Sequence, residues 1–172
     1  QQQGASVSVA RRDGGQPMHA ACFGGHLDVA EWLQQQGASV SAADNDGWQP
    51  MHTACQGGHR DLAEWLQQQG VSVSVADNDG RQPMHAACEG GCLDVVKWLH
   101  GLGVPLTVKH RRSTPRSIAS SKGHFNVVEW IDQQLSKPSA GEAGGGGGGS
   151  AGQPGGGKRK APASKAPAKR RA

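Results

Sequence analysis

An all-α repeat solenoid of stacked helix-turn-helix units is predicted by two features of the 172-residue sequence. The words Gln16-Pro17-Met18-His19-Ala20-Ala21-Cys22, Gln49-Pro50-Met51-His52-Thr53-Ala54-Cys55 and Gln82-Pro83-Met84-His85-Ala86-Ala87-Cys88 recur with a spacing of 33 residues, the mark of a repeat array. Each is followed by a Gly-Gly pair and then by Leu-Asp-Val-Ala-Glu-Trp-Leu, Asp-Leu-Ala-Glu-Trp-Leu or Leu-Asp-Val-Val-Lys-Trp-Leu, so whole units recur, not the turn word alone.

One unit is built as follows. Asp44-Asn45-Asp46-Gly47 is a hairpin tip, because Gly supplies positive φ and Asp or Asn side chains bond nearby backbone. Pro50 fits the first turn of a helix, where its missing N–H removes no bond. Gly57-Gly58 stops this short helix, and a second runs from about Asp61 to Gln68, with Leu62, Trp65 and Leu66 along one apolar stripe. Gly70 ends it. A fourth copy, Thr114-Pro115-Arg116-Ser117-Ile118-Ala119 running into Gly123-His124-Phe125-Asn126-Val127-Val128-Glu129-Trp130-Ile131, starts 32 residues after the third because its hairpin is one residue shorter.

The units are therefore placed at about residues 11–43, 44–76, 77–108 and 109–137, after a remnant of a preceding repeat at 1–10. In that remnant Gln1-Gln2-Gln3-Gly4 matches Gln34-Gln35-Gln36-Gly37 and Gln67-Gln68-Gln69-Gly70. The match, with no initiator Met, is read as a fragment whose earlier repeats are missing, and the first full unit is expected to lack a neighbour on its apolar side. Helices shorter than about 12–15 residues are marginal in water, so stability must come from stacking. Ala21, Ala54 and Ala87, with Cys22, Cys55 and Cys88, would let first helices approach closely. Val29, Leu62 and Val95, with the Trp-Leu pairs, are expected to fill the second layer.

The pattern resembles the ankyrin repeat, whose signature is Thr-Pro-Leu-His-x-Ala followed by Gly-His and a Val-Val or Leu-Leu helix; the likeness covers about Arg11 to Lys137. It implies helix-turn-helix repeats joined by β-hairpin loops, and a concave surface made by hairpin tips and first helices. Three departures stand out. Gln16, Gln49 and Gln82 replace the usual Thr, and a lost hydroxyl cap costs about 0.5–2 kcal/mol, so these helices are expected to fray or to use another cap. Gln34, Gln67 and His100 follow the Trp-Leu pairs where an apolar residue is common, narrowing the buried stripe. Arg116-Ser117 replaces the Met-His pair in the fourth unit, as in a polar capping repeat that ends the stack.

After Lys137 the composition turns to Gly and Ser. Residues 138–157 read as a flexible linker spanning roughly 25 Å, and 158–172 as a basic disordered tail. Charge divides accordingly. Residues 1–137 hold 11 Lys and Arg against 13 Asp and Glu, net −2, whereas the remainder hold 7 against 1, net +6. The repeats thus present no basic groove for nucleic acid. The clusters Lys158-Arg159-Lys160 and Lys169-Arg170-Arg171 resemble a two-part nuclear-localisation signal; contact with phosphates and a merely solvated end are the other readings.

The residues argue against chemistry. His19, His52 and His85 recur one per unit, whereas an active site gathers different groups, and in the ankyrin family this His resembles a structural hydrogen-bonding position. No phosphate loop, nucleophile motif or paired carboxylates appear, so neither catalysis nor a cofactor is expected. Cys88 and Cys92 lie four apart near His85, but Cys22, Cys55 and Cys88 recur as small core residues and Cys92 stands where His26, His59 and His124 stand; the spacings match no common zinc arrangement. Core cysteines without a signal peptide point to a reducing, intracellular compartment, with the nucleus favoured over the cytoplasm. No segment reaches the apolar length of a membrane-spanning helix.

Function is expected where the units differ. The position after the turn Gly reads Gly15, Trp48, Arg81 and Ser113, and the exposed position on the first helix reads Phe23, Gln56, Glu89 and Ser121. Trp48 and Arg81 lead the partner-binding set, with Phe23, Gln56 and Glu89, because Trp and Arg are enriched among residues that dominate binding energy; the bland alternative has Trp48 covering a neighbouring hairpin. Arg11, Arg12, Arg111 and Arg112 flank acidic tips at Asp44, Asp46, Asp77 and Asp79, which reads either as basic ends around an acidic centre or as a solvated pattern. The function read from this is a monomeric, non-catalytic interaction module that binds a protein partner. Two alternatives are a nucleic-acid-associated protein working through its tail, with a nuclear-import receptor as the tail's other partner, and the targeting fragment of a larger enzyme.

Overall fold

Residues 9–137 are described by a computed structural model; the remnant's first eight residues, the linker and the basic tail lie outside them. Four first helices, α1 (Pro17–Gly24), α3 (Pro50–Gly57), α5 (Pro83–Gly90) and α7 (Pro115–Ser121), alternate with four second helices, α2 (Leu27–Gln35), α4 (Arg60–Gln68), α6 (Leu93–Gly101) and α8 (Phe125–Leu135). First helices pack on one another along the stack, α1 on α3, α3 on α5 and α5 on α7, while second helices touch more sparsely. All four first helices begin at proline, and α1, α3 and α5 end at glycine as the turn word predicts, whereas α7 ends at Ser121.

The glutamine caps resolve in a way the sequence leaves open. Each glutamine side chain faces the amide of the third helical residue in a capping-box arrangement but makes no well-formed cap hydrogen bond, and Gln82 Oε1 is buried without a partner. Instead Nδ1 of His19, His52 and His85 accepts the backbone N–H of Gln16, Gln49 and Gln82, each at 3.1 Å. The third helical residue thus supplies half of a capping box. In α7 the box is complete, with Thr114 Oγ1 accepting from Ser117 N at 3.3 Å and Ser117 Oγ accepting from Thr114 N at 2.8 Å.

The opposite ring nitrogen ties one unit to the next. His19 Nε2 donates to the Trp48 carbonyl at 3.0 Å and His52 Nε2 to the Arg81 carbonyl at 3.1 Å. With Nδ1 accepting, Nε2 carries the proton, so the neutral imidazole satisfies both ends. The series breaks at the third junction, where the shorter hairpin moves the expected carbonyl: His85 Nε2 is buried without a partner and its ring faces His110 at 6.0 Å.

The loops are tight turns more than ladders. The one isolated bridge among the described residues joins His110 and Ser113. Elsewhere the turn amides are taken locally and by neighbouring tips: Asp44 Oδ1 accepts from Asp46 N and Trp48 N, Asn45 N donates to the Asp13 carbonyl at 3.0 Å, and Asn78 N to that of Asp46 at 3.0 Å. Gly47 is needed twice over, because its φ is +81° and an added Cβ would lie 2.7 Å from the Asn78 amide nitrogen.

The core is a column of Met18, Met51 and Met84 flanked by Leu62, Leu66, Val95, Leu99, Val127 and Ile131, all fully buried. First helices meet backbone to backbone: a Cβ on Gly90 would come within 2.0 Å of the Gln56 carbonyl oxygen. The second layer fills less evenly than expected. Leu62, Val95 and Trp65 are buried, but Val29 is 42% and Trp32 52% exposed, since among the described residues α2 is covered from one side of the stack alone. The fourth unit's surface is also mixed: Arg116 pairs bidentately with Asp132, yet Phe125 is 72% exposed.

Two outcomes follow for stability. Gly90→Ala should lower the unfolding free energy by about 1–3 kcal/mol through forced separation of α3 and α5, whereas Gly101→Ala, whose added Cβ meets nothing within 4 Å, should raise it by about 0.5–1 kcal/mol; urea titration of both variants checks this. Burial pushes His52 and His85 below imidazole's ordinary 6.5, against the raising effect of the Arg81 carbonyl on His52. A base with a depressed folded-state pKa contributes its full stability above its unfolded value and loses it as pH falls. The urea midpoint should therefore be level above about pH 6.5 and decline below it, with a smaller decline in His52→Gln.

Candidate functional site

The two varied rows lie side by side, one at the hairpin bases and one at the ends of the first helices, and both are held by their backbone. Carbonyls of Trp48 and Arg81 accept from the histidines just described. Those of Phe23, Gln56 and Glu89 accept from the residue opening the next second helix: His59 Nε2 at 3.0 Å, Cys92 Sγ at 3.3 Å and His124 Nε2 at 2.9 Å. Cys92 thus performs with a thiol what histidine does in the other units. Because the shared residues grip carbonyls, the identity of the side chain at the varied positions is free to change.

Three of the five predicted partner-binding residues come together. The Arg81 guanidinium carbon sits 4.7 Å from the centre of the Trp48 ring, within cation–π range, and its Nη2 pairs with Glu89 Oε2. Glu89 Oε1 also accepts from Lys122 Nζ at 2.9 Å. Trp48 meets the His52 ring edge-on at 5.4 Å, and its Nε1 is buried without a partner. Arg81 and Glu89 keep 24% and 21% of their side-chain surface exposed. Burial raises the Glu89 pKa, but the hydrogen bonds and charges of Lys122 and Arg81 outweigh it and hold the carboxyl below its ordinary value.

Phe23 and Gln56 stand outside this network. Phe23 is 56% exposed and forms one wall of a groove with Arg11, Asp13, Gly15, Ala20, Asp44 and Thr53. Sequence reasoning missed that groove and the part played by Lys122; an acidic Glu89 followed one unit later by a base was the available signal for the latter. Of the basic residues flanking the tips, Arg111 pairs with Asp79 at 2.5 Å. Asp44 and Asp77 serve their own turns by accepting backbone N–H groups. Tail residues Lys158, Arg159, Lys160, Lys169, Arg170 and Arg171 lie outside the described residues.

The cysteines have core character. Burial pushes the Cys22 and Cys88 thiols up to about 12 and that of Cys55 further still, so they stay protonated at neutral pH and are weak nucleophiles and poor ligands. Among the described residues no three His, Cys, Asp or Glu side chains gather into a group able to hold a metal ion, and no helix is long and apolar enough to cross a membrane.

A family model described as ankyrin repeats (3 copies) matches residues 2–77 and 18–109. No curated protein matches the sequence.

Coupling across the charged network should be measurable yet small. A double-mutant cycle of Glu89→Gln with Lys122→Met should give a coupling energy of about 0.2–1 kcal/mol, because Lys122 is half exposed, and the cycle with Arg81→Met should give more, since that pair is less exposed. Equal coupling in both cycles would contradict the geometry.

Proposed function

The chain belongs to the ankyrin-repeat family, whose repeats are in general protein-interaction modules, and on that premise we propose that it is a non-catalytic scaffold or adaptor that holds a protein partner on its concave face of hairpins and first helices. The observation that carries this reading is the linked set Trp48, Arg81, Glu89 and Lys122. It is made of residues that differ from unit to unit, three of them, Trp48, Arg81 and Glu89, held by their carbonyls, and its Trp and Arg are residue types that anchor interfaces. Binding here needs no rearrangement of the stack, so the module acts by rigid display, which limits the ordering cost of association. Nuclear residence, directed by the tail's two basic clusters, is the localisation we propose.

The test is affinity capture from cell extract at low and high salt with three baits: the full chain, the chain cut after Lys137, and the full chain carrying Trp48→Ala and Arg81→Ala. A partner kept by the truncated bait and lost with the double substitution is the expected result. Loss on removal of the tail, with affinity falling steeply in salt at about −0.9 in log–log slope per phosphate neutralised, would replace this reading with nucleic-acid contact by the tail.

A further inference from the structure

We propose that the groove beside Gly15 receives an arginine side chain of the partner. This rests on the partner-binding reading and specifies the chemistry of one part of that face. In the row at the hairpin bases, Trp48 and Arg81 supply large side chains where Gly15 supplies none. The first atom of any side chain at Gly15 would lie 3.0 Å from Asp13 Oδ1 and 3.8 Å from Arg11 Cδ, so the walls of the gap are charged groups. Phe23, Ala20, Thr53 and Asp44 also line it.

What suits such a gap is shown farther along the same row. Arg81 rests on the Trp48 ring and is paired with Glu89: an aromatic face and a carboxylate together hold a guanidinium. The groove repeats those ingredients with the exposed Phe23 ring and the carboxylates of Asp13 and Asp44. Each carboxylate is fixed by accepting backbone N–H bonds at one oxygen, Asp13 from Gly15 at 2.9 Å and Asp44 from Asp46 and Trp48 at 3.0 and 2.8 Å, which leaves the second oxygen to an incoming donor. Arg11 offsets one of the two negative charges, so the lining carries a net charge of about −1. An apolar occupant would desolvate carboxylates without pairing them, and an acidic one would face like charge. A guanidinium is weakly hydrated, stacks on rings and meets carboxylates with a planar fork of donors, so it suits the ring and the two carboxylates, whose charge Arg11 offsets only in part.

The test is a titration of the full chain, followed by backbone amide signals, with a blocked alanine-glycine peptide containing one arginine and with its neutral citrulline counterpart. Shifts should concentrate at Gly15, Ala20, Phe23, Gly24 and Thr53, and the citrulline peptide should bind about tenfold more weakly. Phe23→Ala and Gly15→Trp should each weaken the arginine peptide by a similar factor. Gly15→Trp crowds Asp13 Oδ1 at 3.0 Å and is expected to lower the melting temperature, so Phe23→Ala, at a ring 56% exposed, is the variant that should leave it unchanged. Equal binding of the two peptides, shifts spread over carboxylates elsewhere with the same midpoint, or binding indifferent to Gly15→Trp would each overturn the proposal. In the capture experiment, a partner lost with Trp48→Ala and Arg81→Ala yet kept by Gly15→Trp removes the arginine groove and leaves the broader reading standing; one kept by both variants removes both.

Discussion

Much of this stack depends on one imidazole used at both ends. In His19 and His52, Nδ1 accepts the orphan amide at the start of its own helix while Nε2 donates to a carbonyl of the following unit. A helix of eight residues has little stability of its own, and this ring supplies both the missing cap and the tie to the neighbour. The arrangement requires a neutral, buried ring, and burial depresses the pKa of His52 accordingly. Protonation would remove the acceptor at Nδ1, so cap and neutrality are one requirement.

The same grips separate what must recur from what can vary. A carbonyl is identical in every residue, so a unit bound through the carbonyls of Trp48, Arg81, Phe23, Gln56 and Glu89 tolerates any side chain there that fits. Even the gripping residue admits change, since the Cys92 thiol replaces an imidazole against the Gln56 carbonyl at 3.3 Å. Varied side chains projecting from a fixed backbone are what a binding face needs, and the Trp48–Arg81–Glu89–Lys122 set is one outcome.

Period, helix positions and the small-residue seam were legible because each is written locally: proline opens, glycine closes, and the apolar stripe has helical spacing. The second helix expected from about Asp61 begins at Arg60. The caps were less legible. Read as a list of cap preferences, glutamine predicts a frayed end; the answer lay three residues on, in a histidine assigned a structural role without its two partners. Burial of the second layer was legible for Leu62 and Val95; for Val29 the motif pointed to burial while the expected lack of a neighbour beside the first full unit pointed to exposure, because the same motif is buried or exposed according to what stands beside it. The binding residues were chosen by their variation, a rule that names Trp48, Arg81 and Glu89 without showing that they touch, and that passes over Arg11 and Asp13, whose importance lies in lining the gap left by Gly15.

The shortened fourth hairpin shows what the imidazole tie contributes, by its absence. His110 and Ser113 close a turn in which Arg111 holds a φ of 53°, a left-handed conformation that costs an L residue about 1–2 kcal/mol. Beside this turn the buried His85 Nε2 makes no well-formed hydrogen bond, although, against the lowering of its pKa by burial, the Val108 carbonyl lies near enough to raise it. What crosses this junction includes the His124 grip on the Glu89 carbonyl and the ion pairs of Arg111 with Asp79 and Lys122 with Glu89. Exposed pairs contribute up to about 1 kcal/mol each and weaken in salt, whereas a buried donor left unpaired costs about 1–3 kcal/mol. In a linear array, where stability is a sum over neighbouring interfaces, this makes the junction between the third and fourth units weaker than those held by His19 and His52. Glu89 belongs to that junction through Lys122 and to the varied face through Arg81, so the candidate surface and the weaker end of the stack share a carboxylate.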